Sequence, residues 1–355
     1  MQTIPLNDVA ALFDGHVDCL IGEDGIRPVR YRLADAPFLD PHVPRVASFA
    51  GGVRLRLTTD SRSIRLAAHQ MRASAPGREG WTADYELHIG GMPARIAAAI
   101  GGADIFIGGA IAGDPRAVLT LDDLPQGDKQ IELWLPASAI VSVTELKIDD
   151  GAHWAPWPDT RRRMIFHGSS ITQAVDANGG TRTWPAIASA LSGVRHLNLG
   201  WAGSCLISGF AGRLLRDQPA DAIVLELGAN VWENGLLKER TFLDCTHALL
   251  AIVRERHGET PIAVISPIAF GRGDAASNDG GIALGRMREL LESVVAGRRA
   301  GGDANIHYLS GLELSGPGDL EHVPDGIHPD AQGNRLMGAR FHAHMLAPGK
   351  PLAPR

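Results

Sequence analysis

The chain of 355 residues holds few cysteines: Cys19, Cys205 and Cys245 are an odd number and lie far apart. No Cys-x-x-Cys pair occurs, which excludes that kind of metal or redox centre and fits reduced thiols in a cytoplasmic protein. Positive charge is also short. With 34 Lys and Arg against 40 Asp and Glu, the net charge is -6, so no basic stripe is available to neutralise phosphates, and nucleic acid and anionic membrane surfaces are excluded as partners. The N-terminus has no basic segment followed by an uninterrupted apolar run, and no later stretch is apolar for long enough to span a bilayer, so neither a signal peptide nor a membrane anchor is expected. A Gly-x-Ser-x-Gly elbow is missing, which argues against an α/β-hydrolase host for a nucleophilic serine. His342-x-His344 has no carboxylate set beside it and reads as surface, so neither a metal nor a cofactor is expected. What remains as a partner is a small molecule.

The 45% hydrophobic content and the length suffice for two packed cores. Residues 1–150 read as β. Val53, Leu55 and Leu57 alternate with Arg54 and Arg56, a polar turn follows at Thr59-Asp60-Ser61-Arg62, and alternation resumes at Ile64 and Leu66, the pattern of a hairpin with one wet face. Tyr85-Leu87-Ile89 and Ile131-Leu133-Leu135 repeat the period of two. Val141-Val143 slips phase to Leu146-Ile148, as a β-bulge makes it do. Short strands divided by Gly, Pro and Asp turns predict an antiparallel β-sandwich.

The irregular segment 151–163, rich in Trp and Pro, reads as a linker. From Met164 to Leu346 apolar strands such as Ala222-Ile223-Val224-Leu225 and Ile262-Ala263-Val264-Ile265 alternate with amphipathic helices, in which Phe242, Leu249, Ile252 and Val253, and later Leu284, Met287, Leu291 and Val294, share a face. That alternation predicts a doubly wound α/β sheet whose ligands bind at the carboxyl ends of its strands, where Gly168, Asn230 and Ser266 fall. Residues 271–281 read as a flexible loop and 347–355 as a frayed tail.

The chemistry centres on Met164-Ile165-Phe166-His167-Gly168-Ser169-Ser170, where an apolar strand ends in a turn that lifts a serine hydroxyl out of the sheet. A serine hydroxyl needs a base within hydrogen-bond reach and donors aimed at the oxyanion it creates. Asp325-Gly326-Ile327-His328-Pro329 supplies both base and orienter: the carboxylate can accept from imidazole Nδ1 and leave Nε2 for the serine proton. Gly203 offers a backbone N–H with no Cβ in the way and Asn230 an amide donor, which with the N–H of Ser170 makes three oxyanion donors. Trp201 and Trp232, beside those donors, are candidate hydrophobic walls for the substrate.

These four pieces, in the order Ser, Gly, Asn, Asp and His, resemble the four blocks of the SGNH (GDSL) hydrolase superfamily over roughly Met164 to Leu346. The resemblance implies a flavodoxin-like α/β/α sandwich with a parallel sheet. It also implies Ser170 as nucleophile, Ser170, Gly203 and Asn230 as oxyanion donors, and Asp325 and His328 as the remaining dyad. Gly168-Ser169-Ser170, together with Arg182-Thr183-Trp184-Pro185-Ala186, is similar to a two-domain branch with an N-terminal β-sandwich that includes carbohydrate esterases and antibiotic-tailoring acyltransferases. Two positions depart from the family: the acid beside the nucleophile is Ser169 here, and the acid that often follows the third-block Asn is Val231. The bracing of the oxyanion turn is therefore less secure than the Ser-His-Asp set.

The expected activity is a metal-free serine esterase that hydrolyses small acyl esters of a carbohydrate or similar polyol through an acyl-serine intermediate. Acyl transfer from a thioester to a hydroxyl of a natural product uses the same residues. A non-catalytic glycan-binding protein is the reading from a different class, and the intact residue set weighs against it.

Overall fold

The computed structural model describes residues 1–75, 81–106 and 108–354. The chain divides into two units, one made of Met1–Phe38, Ala47–Thr160 and Asn178–Thr181, the other of Leu39–Val46, Arg161–Ala177 and Arg182–Arg355. Neither unit is continuous in sequence. An eight-residue excursion from the N-terminal half belongs to the second unit, which no composition change at positions 39–46 announces.

The second unit is built on five strands: β1 (Arg163–Gly168), β2 (Arg195–Gly200), β3 (Ala222–Glu226), β4 (Ile262–Ile265) and β5 (Ile306–Leu309). All pair in parallel, in the order β2-β1-β3-β4-β5. Every residue of β3 and β4 is buried, the consequence of helices covering both faces of a parallel sheet. The order reverses direction next to β1, so the crevice at the carboxyl ends of β1 and β3 is the topological switch point where doubly wound folds bind ligands. Helices Trp184–Leu191, Gly209–Asp217 and Ala331–Phe341 begin at Thr183, Ser208 and Asp330, whose side chains accept from the backbone N–H of Ala186, Ala211 and Gly333, satisfying donors that the first turn leaves unpaired. Phe166 of β1 meets the Trp184 and Phe341 rings edge-on at 5.2 and 5.8 Å. The predicted faces form on helices Glu239–Arg254 and Leu284–Ala300. The C-terminus is not frayed: Leu352 is buried and its N–H donates to Met345 O at 2.8 Å.

The first unit is a sandwich of two sheets, mostly antiparallel, with one parallel pairing between Ala103–Phe106 and Met71–Ser74. Its core joins Leu55, Leu57, Tyr85, Leu87, Ile131 and Leu133 of one sheet to Ile64, Leu66, Val141, Val143, Leu146 and Ile148 of the other. The expected phase slip is a bulge between Val143 and Glu145.

Three local expectations change. Strands Arg54–Thr59 and Ile64–Ser74 do not form a hairpin; they lie in opposite sheets and the turn between them crosses the sandwich, its N–H groups at Arg62 and Ser63 held by Asp149 Oδ2 at 2.7 and 3.1 Å. Alternation shows which side chains face the core, and that is the same whether the next strand pairs or crosses over. Nor is the arginine face wet. Arg54 and Arg56 are 1% and 4% exposed. Arg56 pairs with Glu132 at 2.9 Å and lies over the Trp157 ring at 3.8 Å, while Arg54 reaches Asp14 and Asp159 and covers Trp134. Buried guanidinium groups persist where carboxylates and aromatic faces replace water. Finally, Trp154–Pro156, expected in the linker, is a strand paired with Leu57–Thr59.

Candidate active site

Strand β1 ends at Gly168, and the next residue, Ser169, is the N-cap of a one-turn helix, Ser170–Gln173. Ser169 Oγ accepts from the Ile171 N–H at 3.1 Å, which turns the chain sharply and leaves Ser170 first in the helix, its N–H without an intrahelical acceptor. Gly168 is required there. A Cβ at this position would lie 2.3 Å from Thr172 Oγ1 and 2.6 Å from Glu226 Oε2.

Ser170 Oγ lies 2.7 Å from His328 Nε2, and His328 Nδ1 lies 2.6 Å from Asp325 Oδ2. Asp325 Oδ1 also accepts from the N–H groups of Ile327 and His328 at 3.0 and 2.7 Å. One carboxylate thus fixes both the loop backbone and the ring, and holds the imidazole tautomer with its proton on Nδ1 and a lone pair on Nε2 facing the serine hydroxyl. The loop hands over to the helix that starts at Ala331, and Asp330 rather than Asp325 caps that helix, accepting from Gly333 N at 2.8 Å. Gly271 N–H donates to Gly326 O at 2.8 Å, so the 271–281 segment is anchored to the histidine loop at its first residue. Asp274 further pairs with Arg288 at 2.8 Å, a fixture the reading of 271–281 as a flexible loop did not foresee.

Gly203 sits at φ +68, a left-handed conformation that glycine adopts without strain. Its turn is tied on both sides. Ala202 N–H donates to Gln173 Oε1 in the Ser170–Gln173 helix at 3.0 Å, and Cys205 N–H donates to Asn230 Oδ1 at 3.0 Å. The second bond orients the Asn230 amide so that its NH2 end is the one left to donate. The turns that carry Ser170, Gly203 and Asn230 are therefore tied to one another by hydrogen bonds at the carboxyl ends of β1, β2 and β3.

Trp201 and Trp232 do not line the site as walls. They are 2% and 1% exposed. Trp201 packs against the His167 ring at 5.2 Å, and Trp232 packs against Phe270 while its Nε1 donates to Ile282 O at 3.0 Å. Both indoles fill the core beneath the loops that carry Gly203 and Asn230.

Two residues enter the site that sequence patterns did not mark. Glu226, the last residue of β3, is 2% exposed, and its Oε2 accepts from Ser169 N and Ser169 Oγ at 2.7 Å each and from Thr172 Oγ1 at 3.1 Å. The acid missing at position 169 is supplied from the neighbouring strand, so the expectation of a poorly braced turn is corrected. Burial pushes the Glu226 carboxyl up to about 7, against the opposing pull of these donors. A charged residue ending an otherwise apolar strand was the available signal. His42 comes from the 39–46 excursion: its Nδ1 lies 2.7 Å from Ser204 Oγ, and its Cε1 would lie 3.1 Å from a Cβ on Gly203. Burial holds its ring below the usual histidine range. No local pattern could have brought His42 to Gly203.

The one grouping with metal-ligand spacing among the described residues, Asp60, Asp128 and His153, belongs to the sandwich unit. His342 and His344 are taken up by Ser192 Oγ at 2.8 Å and Glu313 at 3.1 Å. Among the described residues no helix is long and apolar enough to cross a membrane.

The model of the GDSL-like lipase/acylhydrolase family matches residues 161–344, just over half of the chain. The chain belongs to this family. Among solved structures, this GDSL-like protein is similar to the salicylyl-acyltransferase SsfX3 from a tetracycline biosynthetic pathway, at 28% identity, 92% coverage of each chain and a TM-score of 0.81. A Bacteroides ovatus protein named as a GDSL-like lipase matches at 21% identity, covering 96% of this chain and 95% of its own, with a TM-score of 0.74. A family two carbohydrate esterase from Clostridium thermocellum, in complex with cellohexaose, matches at 15% identity and a TM-score of 0.60, over 82% of this chain and 91% of its own. No curated protein matches the chain. The last two structures share the fold of this chain. What the GDSL-like site can do chemically follows from its bonds: a hydroxyl held by an imidazole that is itself held by a carboxylate can attack a carbonyl as it loses its proton.

Proposed function

We propose that this GDSL-like protein is a serine esterase that removes small acyl groups from a carbohydrate or similar polyol. The observation that carries the reading is the relay from Ser170 Oγ to His328 Nε2 at 2.7 Å and from His328 Nδ1 to Asp325 at 2.6 Å. In this scheme Ser170 Oγ attacks the ester carbonyl while its proton passes to His328 Nε2. The N–H groups of Ser170 and Gly203 and the Asn230 amide carry the negative charge of the tetrahedral intermediate. The alcohol then leaves with the proton from His328, and Ser170 remains acylated. Water, deprotonated by the same imidazole, releases the acid and restores the hydroxyl. Asp325 keeps the ring oriented and stabilises the imidazolium in both halves.

A second reading, acyl transfer from a thioester to the hydroxyl of a natural product, is favoured by the likeness to SsfX3 over 92% of the chain. The same residues form the acyl-Ser170 intermediate, with a thiol rather than an alcohol as leaving group, and an alcohol takes the place of water as acceptor. A well-held alcohol outcompetes water because its effective molarity, about 10⁵ M or more when well oriented, exceeds the roughly tens-of-molar concentration of water.

The deciding experiment incubates the protein with a panel of acetyl, propionyl and aromatic esters and thioesters, with and without polyol acceptors, and follows products by mass spectrometry. Free acid in the presence of acceptor supports the esterase; acylated acceptor supports the transferase. Labelling with a serine-directed phosphonate tests the shared step. The label should map to Ser170, and a label on Ser169, or none on a folded protein, overturns both readings.

A further inference from the structure

The helix that carries Ser170 is only four residues long, Ser170–Gln173. A single turn fixes several backbone dihedrals for little hydrogen-bond return and does not hold its own position. Something else must keep Ser170 Oγ at 2.7 Å from His328. The residues flanking Ser170 converge on one atom. Glu226 Oε2 takes the backbone N–H of Ser169 and its hydroxyl, each at 2.7 Å, and the hydroxyl of Thr172 at 3.1 Å. Ser169 Oγ in turn accepts from Ile171 N at 3.1 Å, so residues 169, 171 and 172 all depend on the same carboxyl. The hydroxyl of Ser170 itself is left out of this set and bonds to His328.

Resting on the esterase reading, we propose that Glu226 is a positioning residue for the nucleophile: its buried Oε2 anchors the turn on both sides of Ser170 and holds the hydroxyl against His328. The fit is close, since any Cβ on Gly168 would collide with Oε2 at 2.6 Å. The other carboxyl oxygen, Oε1, is buried and has no hydrogen-bond partner among the described residues. Buried polar atoms are nearly always paired, and a carboxyl serving only to fill this space would be replaced at less cost by an apolar residue. The three donors on Oε2 are what an apolar residue cannot serve.

The anchor acts through geometry, so its loss moves the chemical step more than substrate binding; a displacement of about 1 Å costs on the order of 10²-fold in rate. The test compares wild type with Glu226→Ala, Glu226→Asp and Glu226→Gln, using an aryl acetate and normalising each rate to active sites titrated with a phosphonate. Expected are a fall in kcat per titrated site of about 10–100-fold in Glu226→Ala with KM within about threefold, and substantial recovery in Glu226→Gln, whose carbonyl oxygen can accept from the same donors. A residue that only stabilises the fold would lower the melting temperature and the fraction of titratable sites while leaving kcat per site unchanged. That result overturns the proposal. If Glu226→Ala is insoluble, Glu226→Asp decides, because it withdraws the anchor by one methylene, and wild-type kcat per site in that variant overturns the proposal equally. Failure of the wild type to be labelled at Ser170 defeats the esterase reading instead, so the two failures are distinct.

Discussion

Replacing Glu226 with glutamine should change how the stability of the protein depends on pH, in a direction opposite to that of an ordinary surface carboxylate. Burial raises the Glu226 carboxyl from 4.5 to about 7. Between those values the folded state holds a proton that the unfolded chain releases, so stability is fully present at the acid end and is lost as pH rises through the folded value. A rise of that size corresponds to a ceiling of about 3 kcal/mol, most of which is lost between roughly pH 5 and pH 8.5. Other groups titrate too: Asp149 and Asp319 have lowered carboxyls, held by Arg62, Ser61 and Ser63 in one case and by Arg340 in the other. Glutamine at 226 does not titrate and leaves those groups in place, so the wild-type minus variant difference isolates Glu226. Urea unfolding of both proteins across this range is the assay. The difference should move against wild type by about 2–3 kcal/mol on going to the alkaline end. A difference independent of pH, or one that moves in favour of wild type, would refute the inference that a buried carboxyl with a raised pKa sits beneath Ser170.

Further outcomes bear on the proposed oxyanion donors and on metal dependence. Asn230→Ala should lower kcat by about 10²–10³-fold with little change in KM; an effect confined to KM in steady-state kinetics would reduce Asn230 to a substrate contact. Gly203→Ala should lose about 1–2 kcal/mol from its left-handed backbone alone, and the new Cβ would press on His42 Cε1 at 3.1 Å. In a His42→Ala background that contact is gone, so thermal unfolding should show the double variant less destabilised than the sum of the single ones, whereas strict additivity would show that His42 does not bear on Gly203. Extended dialysis against EDTA should leave kcat for an aryl acetate unchanged, and a loss restored by a divalent ion would move the chemistry to a metal site.

Much of the site could be read locally. The apolar run into Gly168, the Gly-Pro-bounded Asp325–His328 segment and the phase slip after Val143 are each encoded within a few residues, because strand periodicity, turn chemistry and the reach of one side chain to another three positions away are local properties. The Ser170–His328 contact joins positions 158 residues apart, yet residue types alone pointed to it, since the chemistry of a serine nucleophile demands a base. Other features depended on what the folded chain lays over a polar group. Alternation at 53–57 marked Arg54 and Arg56 as off the sandwich core, but only the arrival of Asp14, Glu132, Trp157 and Asp159 made their face dry. Trp201 and Trp232 have the composition of a substrate wall and the packing of a core. His42 reaches Gly203 because one excursion of the N-terminal half joins the α/β unit. Ser169 looked like the loss of an acid; the parallel pairing of β1 with β3 brings Glu226 beneath it. Sequence determines which groups a segment offers, and the burial that decides whether a carboxyl, a guanidinium or an indole acts as anchor, ion pair or filler arises only when distant segments exclude water together.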